Sequence, residues 1–132
     1  MSYNTWHDYG YGFCVSHLNK AALERIEQTF DYDKNSDDAF EYLSDYWDIW
    51  LQETVDYLNE KYESKSFIYS TDFDGDMYIM FSANYPWYSS EKDKSRTTTE
   101  IDEIFCEYMK PIVGNENFSI SCIDYCDVEN GG

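Results

Sequence analysis

The chain has 132 residues, 42% of them hydrophobic and 20% aromatic, and carries nine Lys plus Arg against 27 Asp plus Glu, a formal net charge of −18. The apolar content is too high for an acidic disordered tail and implies a single folded domain. The charge argues against nucleic acid or an anionic membrane as a direct partner, because a phosphate backbone is held by Lys and Arg, and it calls for a basic partner or a cation.

The opening MSYNTWHDYG lacks the basic segment and apolar run of a signal peptide, and no apolar run approaches the ~20 residues of a membrane span, so a cytoplasmic protein is expected. Tyr9 to His17, YGYGFCVSH, reads as the first strand, with Gly10 and Gly12 marking a bulge or a close backbone approach. Asn19 is placed to cap a helix over KAALERIEQTF, in which Leu23, Ile26 and Phe30 share a face. A second helix is expected from Asp37 or Asp38, where Asp38 and Glu41 have capping-box spacing, to about Tyr62. Its apolar stripe is Phe40, Leu43, Trp47, Trp50, Leu51, Val55, Leu58 and Tyr62.

SFIYST and MYIMFSA read as two strands joined by a turn at Asp72 to Asp76, DFDGD, and NYPWYSSEKDKSR reads as a loop. Thr97 and Glu100 have capping-box spacing at the start of a third helix, which ends before Pro111 or Gly114. NFSISCIDYCDVENGG closes the chain as a strand with Phe118, Ile120 and Cys122 on one face. The order β-α-α-β-β-α-β predicts an α+β fold with helices packed on one face of a mainly antiparallel four-stranded sheet.

Candidate chemistry is sparse. Asp31, Asp33, Asn35 and Asp37 sit at calcium-loop positions one, three, five and seven, but Ser36 stands where the turn needs Gly and Tyr42 where a bidentate Glu is needed. DFDGD resembles the Asp-x-Asp-Gly start of haloacid-dehalogenase-type phosphatases, yet too little chain follows it for the parallel α/β sheet that supplies their remaining residues. It reads better as a hairpin turn, and a small metal-dependent enzyme or metal-binding domain centred on Asp72, Asp74 and Asp76 is the alternative reading. Cys14, Cys106, Cys122 and Cys126 show no C-x-x-C pair and read as small buried hydrophobes. Cys122 and Cys126, four apart in one predicted strand, would lie about 13 Å from each other, too far to share a zinc ion. Cys14 with His7 or His17 lacks the oxyanion element of a thiol enzyme. No catalytic residue, metal or cofactor is therefore expected.

The strongest signal is charge. From Asp31 to Glu63 there are eleven acids against Lys34 and Lys61, a net −9 that is half of the chain's total. Opposite the apolar stripe of the second helix stand Glu41, Asp45, Asp48, Gln52, Asp56, Asn59, Glu60 and Glu63, so that carboxylates recur along the axis. Solvated helices interleave Glu with Lys for i,i+4 support; here each like-charge pair costs roughly 0.2–0.5 kcal/mol. A ridge of this kind imitates a phosphate row and fits the basic groove of a nucleic-acid-binding protein. The loop NYPWY adds Tyr85, Trp87 and Tyr88, residue types that anchor protein interfaces. The expected partner-binding set is Glu41, Asp45, Asp48, Asp56, Glu60, Tyr85, Trp87 and Tyr88.

NTWHDYGYGFCVS, YPWYSSEKDK and DVENGG together resemble small acidic proteins carried by phages and mobile elements of Gram-positive bacteria. That resemblance implies work inside a bacterial host cell, and it is similar in character to anti-CRISPR and anti-restriction inhibitors. It carries no motif that assigns a role to an individual residue. The function expected is a stoichiometric inhibitor that occupies the DNA- or RNA-binding cleft of a bacterial defence nuclease, most plausibly a CRISPR effector.

Overall fold

Four strands, β1 (Thr5–Cys14), β2 (Phe67–Thr71), β3 (Met77–Phe81) and β4 (Asp124–Gly131), form one antiparallel sheet of order β2-β3-β1-β4 in the computed structural model, which describes residues 5–30, 43–83 and 90–131. The helices are α1 (Lys20–Glu27), α2 (Leu43–Lys61), α3 (Glu91–Lys94) and α4 (Thr98–Val113). The α+β architecture predicted from the periodicities is the one observed, with helices packed on one face of the sheet. Asn19 caps α1 by accepting from the Ala22 amide at 2.8 Å, and Thr97 caps α4 by accepting from the Glu100 amide at 3.2 Å. α4 ends at Val113, with Pro111 tolerated in its last turn and Gly114 at φ 96° beyond it.

The core fills the space between this face and the helices. Phe13 of β1 meets Phe105 of α4 and Phe118 edge-to-face at 5.2 and 4.9 Å, and Phe67 of β2 meets Phe105 and Phe81 at 5.8 and 5.1 Å. α2 buries Trp47, Trp50, Leu51, Thr54, Val55 and Leu58; of the predicted stripe, Leu43 and Tyr62 are only partly buried, Phe40 lies outside the described residues, and Thr54 is an addition. Each of the larger apolar side chains contributes about 1.5–3 kcal/mol on leaving water.

The opposite face of the sheet is not open. Side chains alternate along a strand, so Met80 and Val128 point away from the helices, yet they are 0% and 1% exposed. The sheet curls over them until its outer strands are joined: the Asp8 carboxylate accepts from Ser70 of β2 and Asn130 of β4, each at 2.7 Å. β1 can bend this tightly because it is stripped of side chains at the crossing. A Cβ on Gly10 would stand 2.8 Å from Met80 Cβ, and one on Gly12 only 2.0 Å from the Ile79 carbonyl oxygen.

Four local expectations need correction. β1 runs from Thr5 to Cys14, where its pairing with β3 ends opposite Tyr78, and Val15–His17 form a 3-10 turn leading to the α1 cap. The segment before β4 is not strand: 3-10 turns occupy Asn115–Asn117 and Ile120–Cys122, and Phe118 is 1% exposed while Ile120 is 59% exposed. Cys122 and Cys126 accordingly do not share a strand. EKDK is helical rather than loop, because Ser90 accepts from the Asp93 amide at its start. The predicted onset of α2, its Asp38–Glu41 capping box, the near-calcium loop and NYPWY lie outside the described residues.

Candidate functional site

By helical geometry Asp45, Asp48, Asp56 and Glu60 span about 22 Å along α2. All four are exposed on the side away from the buried stripe. Among the described residues none of the four has a basic side chain within ion-pair distance; the Asp56 carboxylate accepts only from Gln52, at 2.8 Å. Six bases pair elsewhere: Lys20 with Glu24, Arg25 with Glu116, Lys61 with Glu107, Lys92 with Glu63, Lys94 with Glu91, and Arg96 with Asp93 and Glu100. No basic side chain of the described residues neutralises the ridge.

Two polar positions assigned to the ridge belong to the fold. Asn59 hydrogen-bonds both backbone groups of Phe67, each at 3.0 Å, and so fastens α2 to the start of β2. Glu63 lies past the end of α2 at φ 51°, where the Ser64 amide donates back to the Asn59 carbonyl at 2.8 Å, and its side chain pairs with Lys92 at 3.4 Å. The described ridge therefore runs from Asp45 to Glu60. Glu41, Tyr85, Trp87 and Tyr88 lie outside the described residues.

Asp72, Asp74 and Asp76 are brought together at the β2–β3 turn, but two of the three carboxylates have other duties. Asp72 accepts from the Asp74 and Asp76 amides, each at 2.9 Å, and Asp76 faces His17 at 3.3 Å. Among the described residues no group of three His, Cys, Asp or Glu side chains is arranged to hold a metal ion. The cysteines are free and half-buried rather than fully buried. Burial pushes the Cys14 thiol up from its ordinary value, against the amides of His17 and Ser16 and the Tyr78 hydroxyl, so it is held protonated.

Neither histidine serves Cys14. His17 turns to Asp76, and His7 of β1 meets Asp127 of β4 at 2.6 Å. The hydrogen bond to Asp127 raises the His7 pKa, helped by the Asp127 and Glu129 charges against partial burial. A raised base stabilises the fold below its ordinary pKa and loses that contribution as pH rises through the folded value. We expect the His7 ring signals in an NMR titration to turn over above 6.5, and Asp127→Asn to move the midpoint down; an unchanged midpoint would remove this pair from the β1–β4 ladder.

A second feature of α2 was not anticipated from the sequence. Ile49, 51% exposed, and Tyr57, 49% exposed, flank the ridge on the side facing α4. There Thr54 and Tyr108 share a hydroxyl hydrogen bond at 2.9 Å, and the Tyr57 and Tyr108 rings lie 5.6 Å apart. The one legible hint was Ile49 itself, an apolar residue inside an otherwise acidic face; its neighbours on α4 are set by tertiary packing.

No protein-family model matches the chain, and no characterised protein or solved structure is similar to it. No helix among the described residues is long and apolar enough to cross a membrane.

Proposed function

We propose that the protein is a phage-type anti-defence inhibitor, which binds the basic DNA- or RNA-binding cleft of a bacterial nuclease through the α2 ridge and performs no chemistry itself. A CRISPR effector is the target class favoured. The observation that carries this reading is the exposed, unneutralised row Asp45, Asp48, Asp56 and Glu60 on a helix whose other side is fixed in the core. Rigid carriage matters because a cleft built for phosphates offers donors at fixed positions, and carboxylates held in register meet them without ordering cost. The i,i+3 and i,i+4 repulsion within α2 is a cost in the free protein that binding would relieve.

The test starts with capture of the target from a bacterial lysate and its identification by mass spectrometry. The variant D45N/D48N/D56N/E60Q should then bind that target roughly 30-fold to 1000-fold more weakly at physiological salt, if each lost pair is worth about 0.5–1 kcal/mol. Its affinity should depend less steeply on salt, nucleic acid should compete with the unaltered protein, and the variant's own melting temperature should hold or rise. Binding as tight as that of the unaltered protein would reduce the ridge to a solvated helix face.

A further inference from the structure

Between α2 and α4, where α1 ends, lies a groove of about 460 Å³ with Tyr46, Ile49, Trp50, Glu53, Tyr108 and Ile112 along its walls. Its character differs from that of the ridge beside it: with Phe30 and Thr29 at its α1 end, it presents four aromatic rings, two isoleucines, one threonine and one carboxylate. Trp50 is buried while Ile49 and Glu53 are exposed, so the carboxylate stands on the solvent side of the aromatic wall. Among the described residues Glu53 has no basic partner. Burial above all raises the Tyr108 hydroxyl above its ordinary value, against its hydrogen bond with Thr54, and the Tyr57 and Glu53 neighbours add to the rise.

An apolar occupant would satisfy the rings and leave the carboxylate desolvated without a counter-charge, which is unfavourable. An ammonium would satisfy the carboxylate but must shed a tightly held water shell. A guanidinium meets both demands. It is planar and weakly hydrated, stacks on aromatic faces, and keeps its edge N–H groups free for a carboxylate, while its methylene stem lies on apolar surface such as the isoleucines. Basic nucleic-acid clefts are supplied with this side chain.

Resting on the proposed function above, we infer that this groove is the anchor site of the interface, taking one arginine side chain of the basic partner between the aromatic wall and Glu53 while the ridge engages the surrounding cations. The ridge would then govern encounter and salt dependence, and the groove would govern residence.

The probe is a hexa-arginine amide peptide, compared with hexa-lysine and hexa-citrulline, added to the full chain with ¹³C-labelled isoleucine methyl groups and ¹⁵N-labelled amides. Hexa-arginine should shift the Ile49 and Ile112 methyl signals saturably, hexa-lysine should do so with at least about fivefold weaker affinity, and hexa-citrulline should leave them in place. Glu53→Gln, an exposed change that spares the core, should abolish the methyl shifts while the amides of Asp45, Asp48 and Asp56 still respond. D45N/D48N/D56N/E60Q should do the converse, weakening overall binding but retaining methyl shifts at higher peptide concentration. If the ridge amides respond and the methyls do not, or if lysine or citrulline peptides move the methyls equally, the anchor assignment is wrong and the ridge stands. If the methyls respond and the ridge amides do not, the ridge reading is what fails. If neither responds, both fall.

Discussion

Asp93→Ala is expected to cost about 3–5 kcal/mol of folding stability, measured by urea denaturation, because it strips the buried counter-charge from a largely buried arginine and leaves it only the exposed Glu100 at 3.9 Å. Asp93 is 1% exposed and Arg96 nearly as well covered. The Asp93 carboxylate accepts from Ser66 Oγ at 2.9 Å and the Lys65 amide at 3.3 Å, while Arg96 donates to the Tyr62 carbonyl at 2.9 Å. The pair thus ties the α3 turn to the end of α2 and the start of β2. Asp93 Oδ1 and Arg96 Nε face one another at 3.6 Å, and neither has a hydrogen-bond partner among the described residues. Removing both charges together, as D93A/R96M, should cost less than D93A alone, because no poorly compensated ion is then buried. Burial raises the Asp93 pKa, but hydrogen bonds from Ser64, Ser66 and the Lys65 amide, with the Arg96 charge, outweigh it and leave the group below its ordinary value. A depressed acid contributes stability above the ordinary carboxylate pKa of about 3.9 and loses it as pH falls through the folded value. The stability gap between the unaltered protein and D93A should therefore be full at neutral pH and narrow only in strong acid. A gap independent of pH into that range would show that the carboxylate is not ionised in the fold.

Gly12→Ala should be comparably severe, about 3 kcal/mol or more, since the clash at 2.0 Å is with a backbone oxygen that no rotamer change can move. Gly10→Ala meets Met80 Cβ at 2.8 Å and the Phe81 carbonyl oxygen at 3.1 Å, and should cost less because both approaches are longer than the 2.0 Å clash at Gly12, so a smaller strand displacement relieves them. Gly75→Ala meets nothing within 4 Å, and only its φ of 85° opposes the change, a cost of about 1 kcal/mol. Equilibrium unfolding of the three variants should give the ranking Gly12, Gly10, Gly75. A Gly12→Ala protein as stable as the parent would mean that β1 and β3 are spaced more widely than described.

What the sequence disclosed follows from how local each cause is. The stripe from Trp47 to Leu58 is a periodicity within one helix, and the Asn19 and Thr97 caps are spacings of three residues, so all were readable. Ser90 and Asp93 carry the same three-residue signal, but it is set among serines and lysines that look like loop. Phe118, Ile120 and Cys122 mimic strand alternation, but the Cys122 and Ile123 amides bond back to Ser119 and Ile120, and the segment turns. Asn59 is polar and stands near the acids on a helical projection, and only the approach of Phe67 reveals that its amide is structural. The buried Asp93–Arg96 pair reads as an ordinary exposed i,i+3 couple, since nothing in the spacing announces what will cover it. The candidate site divides in the same way. Its ridge was legible because it is one face of α2, whereas the groove needs Tyr108 and Ile112 from another helix.

The ladder joining β1 to β4 sets the timing of folding. His7 and Asp127, hydrogen-bonded neighbours in the sheet, are 120 positions apart along the chain. Closing so long a loop is entropically costly before any contact rewards it, and folds dominated by such pairings form slowly. During synthesis β1 leaves the ribosome well before β4 and must wait for it. Until then Gly10 and Gly12, which leave one face of β1 bare, lack the β4 residues they pair with, Cys126 and Asp124. The β2–β3 hairpin and the helices can assemble earlier from local contacts, so completion of the sheet is expected to be the late, rate-limiting event.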